Sequence, residues 1–288
     1  MDFEGTTRGL GLRSTMLIAA FEGWNDAGSA ATNALAHLGE TWDAEKAAEL
    51  DSENYHDFQV NRPYVGPGPS GKREIFWPTS SFWEANVSGR RVILLHGVEP
   101  SFRWRSYCEE VLDVADVHGV DTVITLGALL ADVPHTRPIP LTATTESDSL
   151  RAIMTDVEPN TYEGPTGIVG VLQHAAAARG FQAISLWAAV PHYVGGSPSP
   201  KATLALLLRI SELLEEPIDP GDLPDESAAW QSDIDETLAG DDEILEYISE
   251  LEAARDTADS PEASGEAIAR EFERWLSRGG DQDPRPGH

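Results

Sequence analysis

The stretch Ser14–Leu38, STMLIAAFEGWNDAGSAATNALAHL, decides the fold. Met16 to Phe21 is an apolar run of strand length, and Ala27 to Leu38 is small, unbranched and helix-favouring. Between them, Glu22-Gly23-Trp24-Asn25-Asp26 makes a polar turn with one large aromatic. Strand, tight polar turn and helix is how an open α/β sheet begins, and in such sheets ligands bind beyond the carboxyl ends of the strands. Asn25 or Asp26 is placed to cap the helix by accepting a bond from its free N–H groups, for ~1 kcal/mol. Two readings of the turn stay open. It is a cap, with Trp24 buried in the strand–helix packing, or Glu22 and Asp26 accept from a polar ligand helped by backbone N–H groups at the helix start. The carboxylates would repel a phosphate.

Working outward, the same grammar repeats. Ala44–Phe58 reads as a helix-like and then strand-like region, Asn61–Gly71 (NRPYVGPGPSG) as an exposed loop, and Lys72–Pro78 as an edge strand. In Arg90–Gly97 the run Val92-Ile93-Leu94-Leu95 is continuous, as in a strand buried on both faces. It leads into His96-Gly97-Val98-Glu99-Pro100, and Trp104–His118 follows as a helix with Cys108, Val111, Leu112 and Ala115 on one face. Asp121–Leu130 is a second buried strand, ending in Ala131–Pro138 (ADVPHTRP), and Ile139–Thr145 is a weaker one. Tyr162–Gly167 (YEGPTG) opens a helix running through Ala178. Phe181–Val190 is the last buried strand, ending in Pro191-His192-Tyr193, and Pro200–Leu214 is a helix with Leu204, Leu207, Leu208 and Leu214 facing inward. Strands alternating with helices predict an α/β fold, a mostly parallel sheet covered on both faces.

Composition narrows the function classes. The 288 residues, 41% apolar with eight Trp, suit a globular chain. A net charge of −29, from 49 acidic and 20 basic residues, repels phosphate backbones and anionic lipid, so neither nucleic acid nor a membrane surface is an expected partner. The single Cys108 excludes an internal disulfide. No signal-peptide pattern and no apolar run of ~18 residues is present, and the expected location is the cytoplasm. From Ile218 onward there are 21 acidic and 5 basic residues. The predicted organisation is an α/β core over 1–217, an acidic helical extension over 218–280 and a disordered tail over 281–288. Within the extension, Ile244, Ile248 and Leu251 form one apolar stripe, and Ile268, Phe272 and Leu276 another. Such helices must dock on their own core or on a neighbouring protomer.

The polar strand ends FEGWNDAG (Phe21–Gly28), HGVEP, GALLADVPHTRP (Gly127–Pro138) and SLWAAVPHY, with YEGPTG, together resemble the bacterial branch of the proteasome assembly chaperone family. The resemblance spans about Ser14 to Leu214. It implies a three-layer α/β domain similar to the nucleoside-phosphorylase and peptidyl-hydrolase type of sheet. It implies a homo-oligomer, a trimer among the candidate states, and, for the eukaryotic and archaeal relatives, chaperoning of proteasome subunits without catalysis. The sequence ends Pro286-Gly287-His288, without the hydrophobic-Tyr-any tripeptide by which archaeal relatives dock on the proteasome ring, so that docking mode is not expected.

The candidate rim for a ligand or partner is Glu22, Trp24, Asn25, Asp26, Glu99, Asp132, His135, Arg137, Glu163 and His192. Carboxylate, His and Arg after two strands suit a general acid/base set with an anion clamp, or a polar cluster fixing loops and subunit contacts. No HExxH, no phosphate-loop Lys in YEGPTG and no G-x-S-x-G elbow is present, so no metal and no cofactor is expected. Cys108, on its apolar face, reads as a core residue. Two functions remain. One is a chaperone or scaffold that binds proteasome subunits or other proteins with basic surfaces. The other is a small-molecule enzyme of nucleoside or glycoside hydrolase or phosphorylase type, using the strand-end carboxylates.

Overall fold

The computed structural model describes residues 15–154, 157–194, 196 and 198–258. In chain order the first elements are β1 (Thr15–Glu22), α1 (Ala30–Thr41), β2 (Glu45–Leu50), β3 (Tyr64–Pro67), β4 (Arg73–Phe76), β5 (Ser80–Val87) and β6 (Arg90–Val98). Then come α2 (Trp104–Val117), β7 (Val120–Ala131), β8 (Leu141–Thr145), α3 (Asp148–Ile153), β9 (Glu158–Pro159), α4 (Ile168–Arg179) and β10 (Gln182–Pro191). Three helices close the described chain: α5 (Pro200–Leu214), α6 (Leu223–Leu238) and α7 (Asp242–Ala258).

Eight strands form one sheet in the order β2-β5-β6-β1-β7-β10-β8-β9. The central four, β6-β1-β7-β10, are parallel throughout. β5, β2 and β8 join antiparallel at the sides, and β9 lies parallel to β8. The opening stretch supplies the middle strand, and its alternation builds both cores. Met16, Ile18 and Ala20 face one layer with α1 and α5, while Leu17, Ala19 and Phe21 face the other with α2 and α4. Each fully buried Leu, Ile or Phe in these layers contributes ~1.5–3 kcal/mol. The arrangement is a three-layer α/β fold with a mostly parallel sheet, as its pattern predicts. Among the described residues no helix is long and apolar enough to cross a membrane.

Several expectations need correction. Ala44–Phe58 holds no α-helix but the strand β2 and a short 3-10 turn at Ser52–Asn54. Asn61–Gly71 is only partly loop, since Tyr64–Pro67 pairs with Arg73–Phe76 in a separate two-stranded ribbon. Lys72–Pro78 therefore does supply a strand, but not to the main sheet. β5 carries no continuous apolar run that could mark it: Phe82 packs into the layer of α2 and α4, Ala85 and Val87 into the layer of α1 and α5, with Trp83, Glu84 and Asn86 interspersed. In α5, Leu206, Leu207, Ile210, Leu213 and Leu214 are buried, whereas Leu204 is half-buried and Leu208 exposed. The true stripe keeps Leu207 and Leu214 but replaces Leu204 and Leu208 with Ala202, Leu206, Ile210 and Leu213. α6 packs on α5, which places part of the acidic extension against the chain's own core. Ile244 and Leu251 of α7 are half-buried and Ile248 is buried. The leading arm 1–13, the stripe Ile268, Phe272, Leu276 and the tail 281–288 lie outside the described residues.

Candidate functional site

The strand-end residues form two groups, not one pocket. The first is organised by the turn after β1. Gly23 adopts φ +120°, a conformation that strains any L side chain, and this turns the backbone close over Glu99. Asn25 then enters the interior, where it is 1% exposed. Its Nδ2 donates to Glu99 Oε1 at 2.7 Å, and its backbone carbonyl accepts from Ala128 N at 2.7 Å. Glu99 Oε1 also accepts from Ile168 N at 2.9 Å, so a carboxylate from the end of β6 sits on the positive end of α4. One carboxylate oxygen thus joins β1, β6 and α4. Gly167 makes the close approach possible: a Cβ there would lie 2.2 Å from Asn25 Oδ1. Asn25 Oδ1 is itself buried without a hydrogen-bond partner.

Asp26 completes the turn as a cap. Its Oδ1 accepts from Ala31 N at 2.8 Å and Thr32 N at 3.3 Å, and its Oδ2 accepts from the Thr32 hydroxyl. Burial pushes the Asp26 carboxyl above the usual range, against the pull of these bonds. Trp24 is not the buried lock that its size suggests. It is 69% exposed, because Asn25 takes the interior position next to it. Glu22 is exposed and pairs with His96 at 3.5 Å.

The second group lies after β7. His135 is 1% exposed and is held on three sides. Its backbone N–H donates to the Tyr193 hydroxyl at 2.8 Å, and that hydroxyl lies 2.9 Å from Nδ1. If the hydroxyl donates to Nδ1, then Nε2–H donates to Asp235 of α6, 3.0 Å away, and every polar atom in the set is satisfied. Lys201 Nζ donates to the His135 carbonyl at 2.6 Å and to Gln231 Oε1 at 2.7 Å, and burial lowers its pKa. Asp132 lies 3.4 Å from His192 Nδ1 and accepts from the Tyr247 hydroxyl at 3.1 Å. Arg137 grips Asp256 through two parallel bonds of 2.7 and 2.8 Å and reaches Glu252 at 3.2 Å. Thr136 also donates to Glu252. The pairing holds the Asp256 carboxyl below, and the Arg137 guanidinium above, their ordinary values.

Asp132, His135, Arg137 and His192 are thus gathered, but around α6 and α7 rather than around Glu22, Asn25, Asp26 and Glu99. Glu163 is exposed in the segment before α4, outside both groups. Tyr193, Asp235, Tyr247, Glu252 and Asp256, with Trp230 of α6 whose ring lies edge-on to His135 at 6.4 Å, are the members of the second group that the sequence did not single out. The signal for α6 was present: Pro224 at its first turn with Asp225 and Glu226 behind it is a helix start. His96, His135 and His192 pair with three different carboxylates, and among the described residues no group of three or more His, Cys, Asp or Glu is placed to hold a metal ion. Two open clefts, of about 410 and 450 Å³, run along α1 instead. Of the strand-end residues above, only His96 lines either of them. Cys108 is buried, and burial pushes its thiol up to about 12, which leaves it inert.

Comparison with known proteins agrees with this architecture. Residues 20–238 match the PAC2 family, from within β1 to the end of α6. A PAC2 family protein from Streptomyces avermitilis is 51% identical, with TM-score 0.76, over 81% of this chain and 99% of its own. A proteasome-assembly chaperone homologue from Mycobacterium tuberculosis is 47% identical, with TM-score 0.74, over 81% and 99%. An archaeal homolog of proteasome-assembly chaperone from Pyrococcus furiosus, 17% identical over 84% of this chain and 95% of its own, shares the fold with TM-score 0.57. Against curated proteins there is no significant match. The motifs FEGWNDAG and GALLADVPHTRP lie inside the matched span, and the chain belongs to the PAC2 family.

Proposed function

We propose that this chain is a protein-binding chaperone or scaffold of proteasome assembly, working by recognition and not by catalysis, and that it self-associates. The observation that carries the reading is the chemistry of the strand ends. The polar groups of Asn25, Glu99 and Asp26 are turned inward into hydrogen bonds that hold the fold, apart from the orphaned Asn25 Oδ1. At the carboxyl ends of the same central strands Trp24, Phe102, Leu129 and Leu130 are exposed. An enzyme of this sheet type needs the reverse, carboxylates aimed into a cleft with apolar groups lining it. Exposed apolar side chains at strand ends suit an unpaired protein interface. The kinship with a proteasome-assembly chaperone homologue, at 47% identity, supports the partner class. The acidic helices supply steering toward basic partner surfaces.

Affinity capture with the tagged full chain in its native host tests this. Proteasome subunits are expected in the eluate of the wild-type chain and depleted in that of Trp24→Ala. An eluate without any reproducible protein partner would overturn the reading. So would a nucleoside, sugar or phosphate that raises the unfolding temperature and is turned over in a manner lost in Asp132→Asn.

A further inference from the structure

The ribbon β3–β4 stands outside the eight-stranded sheet, and a two-stranded ribbon is marginal in water unless something covers it. It presents an apolar surface already formed. Tyr64 stacks on Phe76 and Phe58 packs on Trp77, each with ring centroids 4.8 Å apart, while Tyr64, Val65, Ile75 and Trp77 remain exposed. From Arg62 to Trp77 the segment carries three cations and one carboxylate, Glu74, a positive balance against the negative one of the whole chain. Arg90, Arg91, Arg137, Arg151, Arg179 and Arg209 all hold carboxylates within the chain. Arg62, Lys72 and Arg73, on and beside the ribbon, hold none among the described residues. Unpaired cations interleaved with exposed aromatics call for an acidic protein surface. A net charge of −29 on the whole chain rules out a nucleic-acid backbone as occupant.

We propose that the β3–β4 ribbon is the arm by which one copy of this chain grips a second copy, its cations seated on the acidic helices α6–α7 of that copy. Between Leu223 and Ala258 the chain carries twelve acidic residues and one basic residue. On α7, Glu243, Glu246 and Glu250 are exposed and fall on one stripe, separate from the Glu252 and Asp256 that hold Arg137. Both surfaces are present on every copy, so the contact repeats reciprocally in a dimer or head-to-tail around a closed ring. The proposal rests on the self-association in the functional reading, not on its partner.

Sedimentation equilibrium of the full chain, over a range of concentration and salt, tests it. The variants are a ribbon reversal (Arg62→Glu, Lys72→Glu, Arg73→Glu), a helix reversal (Glu243→Arg, Glu246→Arg, Glu250→Arg) and both together. All six positions are surface charges, and an unchanged unfolding temperature checks that each variant is folded. The wild-type chain is expected to self-associate more weakly as salt rises. Each reversal alone should weaken association by about tenfold or more, and the combination should restore it. A wild-type chain that stays monomeric at every concentration, a reversal without effect, or a combination that fails to restore association overturns the proposal. Loss of an acidic foreign partner on ribbon reversal, with self-association untouched, overturns it too. None of these outcomes touches the capture of proteasome subunits, which tests the chaperone reading separately.

Discussion

The two strand-end groups use the same residue types to opposite effect. Around Asn25, the polar atoms lie between β1, β6 and α4, nearly closed to water, and a single Glu99 oxygen takes two hydrogen bonds. Around Arg137, Glu252 and Asp256 of α7 meet the loop after β7 at or near the surface, and Tyr247 of α7 reaches Asp132 beside them. Removing a partner from a buried set leaves an orphan that costs ~1–3 kcal/mol. Exposed ion pairs are worth little each and are screened by salt. Similar chemistry therefore makes a fixed hub in one place and a releasable latch in the other.

The contrast is broken or sharpened most strongly at the hub. Glu99→Ala strands both Asn25 Nδ2 and Ile168 N, and the denaturant midpoint should fall by the equivalent of about 2–4 kcal/mol. Gly167→Ala drives a methyl group into Asn25, with an expected loss of about 1–3 kcal/mol seen by thermal melting. Asp26→Ala removes the cap on α1 at ~1 kcal/mol. The pH dependence of Asp26 has a definite sign. Because its folded pKa is raised above 3.8, the folded chain keeps that proton to higher pH than the unfolded chain does. Its contribution is fully present below 3.8 and lost as pH climbs through the raised value, so Asp26→Asn should flatten the stability profile in that window. At the latch, Arg137→Gln should leave global unfolding unchanged while exposing α7 to limited proteolysis, an effect that added salt reproduces in the wild-type chain.

Legibility in the sequence followed the same division. Short continuous apolar runs such as Val92-Ile93-Leu94-Leu95, bounded by polar turns, match strands buried on both faces, so the parallel centre was readable. α5 was readable at its start because Ser199 caps Ala202 N and Pro200 opens the first turn. β5 and β3 were not, since neither carries a continuous apolar run and each owes its state to the strands it pairs with rather than to its own composition. Trp24 misled because size argues for burial, yet the turn gives the interior place to a small amide that can hydrogen-bond there. The strand ends were recognisable as special, but no spacing in the sequence says that Asn25 and Glu99 meet each other while Asp132 and Arg137 meet helices more than a hundred residues later.

Native-state hydrogen exchange on the full chain separates hub from latch most directly. The amides of Ala31 and Ile168, bonded to Asp26 and Glu99, should exchange only through global unfolding and be indifferent to salt. The amides of α7 should exchange faster and accelerate as salt screens the Arg137 and Asp132 contacts. Exchange in α7 as slow as at Ile168, or unmoved by salt, would contradict the account.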